Sequence, residues 1–253
     1  MLTELQYRLL KRISPNDPQY MSGAAYQNRS KLRVLLGDRL ADSMNGKVVV
    51  DFGCGEGDEA IEIALQGARK VIGIDLREPL LERAREKAAA AGLPQRCLFL
   101  QAVHEKADAI VCLDSFEHFN DPASVLQVMY DSLRPGGFVA ASFGPTWYHP
   151  YGGHLFSVLP WAHLIFSETA LIRWRSDLRH DGATRFGEVE GGLNQMTIRR
   201  FARLLRASPF DVEFLETVPI RRLRLIHNRF TREFTTAIVR CKLVKRAERS
   251  EHL

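Results

Sequence analysis

Apolar and polar positions along this chain alternate between strand-like runs and helical spacing. Val48-Val49-Val50 is an unbroken β-branched run that ends at Asp51 and Phe52, a pattern that predicts a strand covered on both faces. Gly53, Gly55 and Gly57 follow at every second position. They predict a sharp turn where a ligand can approach the main chain without meeting a Cβ. Residues 58 to 66 set Ala60, Ile61, Ala64 and Leu65 on one helical face, and Gly67 ends the run. Residues 70 to 75 predict a second buried strand, again finishing in an acid, Asp75. An amphipathic helix over 80 to 91 stops at Gly92 and Pro94, and residues 96 to 100 and 109 to 113 predict strands three and four. Asp121-Pro122 opens a helix carrying Val125, Leu126 and Met129; Arg134-Pro135-Gly136-Gly137 closes it before a fifth strand over 138 to 143. Strands alternating with helices predict a parallel sheet with right-handed crossovers. The ligand then belongs at the carboxyl ends of the strands, where the glycine turn, Asp75 and Asp114 fall.

The flanks read differently. Residues 1 to 13 place Leu2, Leu5, Leu9, Leu10 and Ile13 at helical spacing among Arg8, Lys11 and Arg12. A helix packed over the ligand cleft is the preferred reading, with a dimer contact or a membrane-surface helix as the others. Pro15-Asn16-Asp17-Pro18 breaks the chain, residues 20 to 26 form a connector, and Asn28 or Ser30 begins a helix through Leu32, Leu35, Leu36 and Leu40. After residue 146 the composition turns aromatic and histidine-rich: Trp147, His149, Tyr151, His154, Trp161 and His163 fall within a short span. Because this segment follows a strand whose carboxyl end faces the ligand, it is a candidate substrate cap, and ordinary lid core is the competing reading. Thr197 has the character of an N-cap for a helix through Phe201, Leu204 and Leu205, ended by Pro209. Two more strands are expected over 210 to 218 and 235 to 244, the latter antiparallel.

Composition narrows the class. With 253 residues, 45% hydrophobic and 26% charged, the chain suits one large α/β domain with an insertion. The net charge of +5 comes largely from arginines in the last third. Scattered arginines read first as a solvated face and second as a nucleic-acid or anionic surface. The four cysteines, Cys54, Cys97, Cys112 and Cys241, are far apart and form no CxxC pair, which argues for reduced thiols over zinc or disulfides. No stretch approaches the roughly 20 apolar residues of a membrane span, and a signal-peptide pattern is missing, so a cytoplasmic location is expected.

The pattern Asp51-x-Gly53-x-Gly55-x-Gly57 resembles motif I of the class I S-adenosylmethionine-dependent methyltransferases. Gly73-Ile74-Asp75, Asp114-Ser115-Phe116-Glu117-His118 and Leu133-Arg134-Pro135-Gly136-Gly137 follow in that family's order, most like its ubiquinone-biosynthesis and small-molecule branch. The resemblance covers about residues 45 to 145. It implies a Rossmann-like three-layer α/β sandwich: a mostly parallel seven-stranded sheet with an antiparallel edge strand and a cap insertion after the fifth strand. The implied organisation is a helical lid segment over 1–44, a cofactor-binding core over 45–146, a substrate cap over 147–196 and completion of the core over 197–253.

The resemblance also implies S-adenosyl-L-methionine as cofactor, held by Asp51, Phe52, Gly53, Cys54, Gly55, Gly57, Asp75, Leu76, Gln101, Asp114 and Ser115. Asp51 suits the ammonium of the methionine part, and Asp75 can accept hydrogen bonds from both ribose hydroxyls. A nicotinamide dehydrogenase would show GxGxxG, whereas here the third glycine comes one residue early and an acid precedes the first. The family's acidic residue after the third strand has no counterpart; Gln101, Ala102 or Val103 stands in its place. His118, at the fourth strand tip, is a candidate proton acceptor or a residue that shapes the cleft, and His149 and His154 are alternative bases. Trp147, Tyr151, Trp161 and His163 are candidate acceptor contacts, and no metal is expected, since no compact motif such as HExxH occurs. Together these features predict methyl transfer to a small or medium-sized organic acceptor, oxygen slightly ahead of other atoms. An RNA or protein methyltransferase and a non-catalytic scaffold are the alternatives. The base-methylating Asn/Asp-Pro-Pro-aromatic signature is absent.

Overall fold

The computed structural model describes residues 2–14, 29–154, 156–157, 159–189 and 191–247. The expected connectors at 15–18 and 20–26, and Asn28 as a helix start, lie outside the described residues.

The apolar runs form strands β1 (Val48–Phe52), β2 (Lys70–Ile74), β3 (Cys97–Leu100), β4 (Ala107–Leu113), β5 (Leu133–Phe143), β6 (Asp211–Pro219) and β7 (Thr236–Val244). They join one sheet in the order β3-β2-β1-β4-β5-β7-β6. β1 pairs in parallel with β2 and β4, β2 with β3, and β4 with β5. β7 runs antiparallel to both β5 and β6, so the antiparallel edge is a two-strand arrangement with β6 outermost. β5 begins earlier than the apolar pattern suggested, because Leu133 pairs with Ala107 before an irregularity restores the ladder at Ala109 and Phe138.

Helices α1 (Leu2–Ile13), α2 (Lys31–Leu36), α3 (Asp38–Asp42), α4 (Asp58–Leu65), α5 (Glu78–Ala90), α6 (Pro122–Ser132), α7 (Ala162–Ile165), α8 (Glu168–Ser176), α9 (Ile198–Ala207) and α10 (Arg232–Thr235) fill the connections. Several starts follow from their first residues. Ser30 accepts from the Arg33 amide at 3.0 Å, and one Asp121 oxygen accepts from the amides of Ala123 and Ser124. Such side chains satisfy amide groups that have no partner within the helix.

Apolar residues of α2 to α5 cover one face of the sheet, meeting Val49, Val71, Val111 and Ala140. On the other face α6 and α9 meet Val48, Ile72, Ile110 and Val139. A third cluster belongs to the segment after β5, where Phe156, Leu171, Trp174 and Phe186 pack around Leu10 of α1. α1 is therefore part of the cap, so the N-terminal segment reaches the cleft only through the cap and does not pack directly on the glycine turn. Its docking partner is α8: Glu4 pairs with Arg173, and Lys11 with Asp177 at 2.9 Å. Leu10 on its inner side has no exposure, whereas Leu2, Leu5, Leu9 and Ile13 face solvent.

The start of α9 draws on both sequence neighbours and distant groups. Thr197 Oγ1 accepts from the Arg200 amide at 3.0 Å, while the buried carboxylate of Glu233, on α10, accepts from the amides of Ile198 (3.1 Å) and Arg199 (2.9 Å). Removing that carboxylate leaves two amides of a buried helix end without their acceptor. Glu233→Ala should lower stability by about 1–3 kcal/mol in chemical denaturation. An unchanged midpoint would show that water replaces the carboxylate at little cost.

Candidate active site

The parallel register aligns the strand tips. Asp51 sits opposite Gly73 on β2 and Val111 on β4, and Phe52 opposite Ile74. After Phe52 the chain folds back over β2, with the amides of Gly53 and Cys54 both donating to the Ile74 carbonyl at 2.8 and 3.0 Å. Gly57, with φ of 79°, fits where a Cβ would lie 2.7 Å from Phe99 and 2.8 Å from Ala84. Gly55 has φ of 53°, but a Cβ there would meet no atom within 4 Å. One glycine is thus required by packing beneath the turn, while the other leaves space above it.

Two acids flank this space. Asp75, just beyond β2, is 8% exposed and accepts from the Gly55 amide at 3.1 Å. It also accepts from Arg77 three times, through the backbone amide, Nε and the guanidinium NH2, at 3.0 to 3.1 Å. Burial opposes ionisation of Asp75, but the Arg77 bonds outweigh it and hold the carboxyl below its ordinary range. Asp51, at the floor, is 3% exposed, and its Oδ2 has no hydrogen-bond partner among the described residues. Burial first, and then the nearby charge of Glu59, push this carboxyl up to about 8.

Lys31, the first residue of α2, reaches into the same acidic ring, with Nζ 3.3 Å from Asp114 and 3.7 Å from Glu59. Burial works against its charge, yet Asp114, Glu59 and Asp51 together keep its affinity for the proton above the ordinary value. Asp114 stands at the tip of β4 with φ of 47°, a left-handed conformation that aspartate tolerates better than most side chains. Ser115 bonds back to the Leu113 carbonyl at 2.9 Å and presses against Gly53. Phe52 is half-buried against Phe119, Cys54 is buried under the turn, and Leu76 and Gln101 are exposed at the rim.

Glu117 is a further buried acid, 2% exposed, with one oxygen 3.4 Å from the Gly144 amide. Burial and then the charge of Asp114 raise it to about 8. Its backbone carbonyl accepts from Asn194, whose side chain in turn donates to the carbonyls of Phe116 and Phe119 at 2.7 Å. These bonds fix the tip of β4 against the far end of the cap.

The histidines divide into two groups. His118 Nδ1 lies 2.8 Å from the Gly192 carbonyl, which can only accept, so Nδ1 carries the proton and Nε2 presents a lone pair. Its ring stands edge-on to His154, with centroids 5.5 Å apart. Burial lowers the affinity of His118 for a proton, while the charges of Asp114 and Arg77 act on it with opposite signs. His154 is pushed down to about 4, by burial and then by His118. The others serve the cap. His163 Nε2 donates to the Trp147 carbonyl at 2.5 Å, and its ring packs on the Trp147 indole. Trp147 itself leans on Phe186 in the cap's own core. His149 accepts from the Tyr151 amide at 3.0 Å and is lowered to about 4 by burial. Trp161, on the surface, donates its indole N–H to the Tyr148 carbonyl. The structure thus brings His118 and His154 together at the β4 tip and commits Trp147 and His163 to packing.

Comparison with known proteins agrees with this geometry. Residues 49–137 match the family described as "Methyltransferase domain". The matched segment spans β1 to the start of β5, the part of the sheet that carries the glycine turn and the strand-tip acids. Over 114 residues the chain is 38% identical to a ubiquinone biosynthesis O-methyltransferase from Chromobacterium violaceum, covering 43% of this chain and 48% of that protein. The chain thus matches about half the length of that relative. Among solved structures, an S-adenosylmethionine-dependent methyltransferase from Mesorhizobium loti shares the fold at a TM-score of 0.52 and 18% identity, over 79% of this chain and 92% of that one. The [4+2]-cyclase SpnF shares it at 0.54 and 17%, over 83% and 82%.

Two groups beside the acids, Lys31 and Arg77, were missed as site residues by sequence reasoning. Lys31 lies before the motif, and only its position opening α2 beneath the strand tips brings it to Asp114. Arg77 follows Asp75 by two residues, a spacing that could have suggested the contact. The raised carboxyl of Asp51 also gives a signed pH dependence. A carboxyl raised from an ordinary 3.8 to about 8 in the folded state contributes stability that is complete below about 4 and lost as pH rises through 8. Thermal melts of the ligand-free protein should therefore fall across that window, and Asp51→Asn should flatten the fall. Parallel curves for the two proteins would show that Asp51 ionises normally.

Proposed function

We propose that this chain is an S-adenosylmethionine-dependent methyltransferase that methylates an oxygen of a small-molecule acceptor. The observation that carries the reading is the open glycine turn between two buried strand-tip acids, Asp51 and Asp75. The residues fit the cofactor. Asp51 Oδ2 is a buried acceptor without a partner among the described residues, suited to an ammonium, and Lys31 beside it suits a carboxylate. Asp75 would take the ribose hydroxyls in place of the Arg77 side chain, with the Gly55 amide holding its second oxygen. When bound, S-adenosylmethionine supplies a methyl group made electrophilic by its sulfonium.

His118 then has a role at a stated atom. Its Nδ1–H is held by the Gly192 carbonyl, so Nε2 is the acceptor that takes a hydroxyl proton as the acceptor oxygen gains the methyl group. Burial keeps the imidazole neutral at physiological pH, the form a base requires. His154 closes the other side as a neutral imidazole. The cap over 147–196, together with α1, would exclude water and orient the acceptor, which supplies most of the acceleration in methyl transfer. The printed name of the Chromobacterium relative, an O-methyltransferase, supports oxygen as the acceptor atom. All four cysteines are free and buried, in keeping with a cytoplasmic location, and no described helix is long and apolar enough to cross a membrane.

Two variants separate the roles. Asp75→Ala should weaken binding of S-adenosylhomocysteine about 10- to 100-fold in calorimetry by removing the charged ribose acceptor; unchanged affinity would contradict that role. His118→Ala should lower kcat about 10²- to 10⁴-fold with cofactor affinity retained. The wild-type rate should hold as pH falls to 6.5 and drop below it, because the imidazole titrates below its ordinary value. A variant that keeps the same profile, or loses affinity and rate together, would make His118 a residue of architecture alone.

A further inference from the structure

The connector between β6 and β7 carries an unusual surface. Leu225 is 101% exposed, Phe230 75%, Ile226 54% and Phe234 45%. Single exposed apolar residues are ordinary, but a cluster rimmed by charge of one sign marks a docking surface. The same connector holds Arg221, Arg222, Arg224, Arg229 and Arg232, and its acid, Glu233, is buried and turned inward onto the start of α9. Arg229 lies over the Phe230 ring at 4.5 Å, so cation and apolar group share one face.

The patch continues onto the cap. Phe234 packs on Tyr148 with ring centroids 5.2 Å apart, and the Tyr148 carbonyl holds the Trp161 indole. Trp161 begins the turn that exposes Leu164 and Ile165. β6 runs parallel to β5, because each is antiparallel to β7, so the connector leaves the sheet at the same end as Asp51, Asp75 and Asp114. A basic and apolar surface therefore stands beside the cap, at the strand-tip end of the sheet but on its far edge from β1 and β2.

We propose that this surface docks on an anionic phospholipid bilayer. Leucine, isoleucine and phenylalanine enter the boundary between headgroups and acyl chains, while the arginines stay with lipid phosphates. A folded acidic protein would satisfy the arginines but leave a fully exposed leucine beside charged groups. Nucleic acid would do the same, since aliphatic side chains gain little from a phosphate backbone. The docking is independent of the reaction proposed above and is read without turnover.

The test is co-sedimentation of the full chain with vesicles of phosphatidylcholine alone and of phosphatidylcholine mixed with phosphatidylglycerol. Binding is expected to the mixed vesicles, to weaken with salt, and to be much poorer on phosphatidylcholine alone. Arg222→Gln with Arg224→Gln should weaken it about thirtyfold. Leu225→Asp with Phe230→Asp should weaken it at least about tenfold, with S-adenosylhomocysteine affinity unchanged because these side chains are remote from Asp51 and Asp75. The proposal is overturned if the wild type ignores mixed vesicles at low salt or if the variants bind as well as it does. Capture of an RNA oligonucleotide without vesicle binding would also overturn it.

Discussion

Burying a carboxylate at the end of β1 costs free energy, and the surroundings of Asp51 add to the cost. Glu59 and Asp75 carry the charge its ionised form would take, the medium is poorly polarisable, and one oxygen has no partner among the described residues, so the carboxyl keeps its proton up to about 8. Lys31 relieves part of the strain, but it is shared with Asp114 and Glu59. The acidic ring is therefore poised toward a second cation, and the glycine turn above it leaves the space for one. A stable core has no need of such an arrangement, whereas a ligand that brings its own ammonium would stabilise it.

The other half of the site is built from a separate source of stability. The cap has its own apolar core around Phe156, Trp174 and Phe186, and it recruits α1 to complete it. Its two ends are joined by the bond from Trp147 to Met196, and it is tied to the sheet by polar bonds that include Asn194 to Glu117 and His118 to Gly192. Two of those bonds converge on the tip of β4. Small shifts of the cap therefore reach the histidine at the cleft directly, while the acids at β1 and β2 keep their own scaffold.

Local chemistry is what the sequence displayed well. The glycine spacing, the acids ending β1 and β2, and the caps at Ser30, Asp121 and Thr197 depend on near neighbours, so pattern and propensity revealed them. The distant pairings were hidden. α1 looked like a cover for the cleft because its spacing fixes one apolar face but says nothing about which element receives it. The aromatic segment looked acceptor-facing, whereas Trp147 and His163 are spent on each other. Glu233 and Lys31 act across long separations in the chain, and no short motif announces them.

The position of β7 has a consequence for how the chain can assemble. β6 is made first, yet its sheet partner is β7, which lies between it and β5. Until β7 emerges, β6 has no ladder to join and β5 presents an open edge. Closing the sheet at this side is therefore a single late event in which one strand satisfies two.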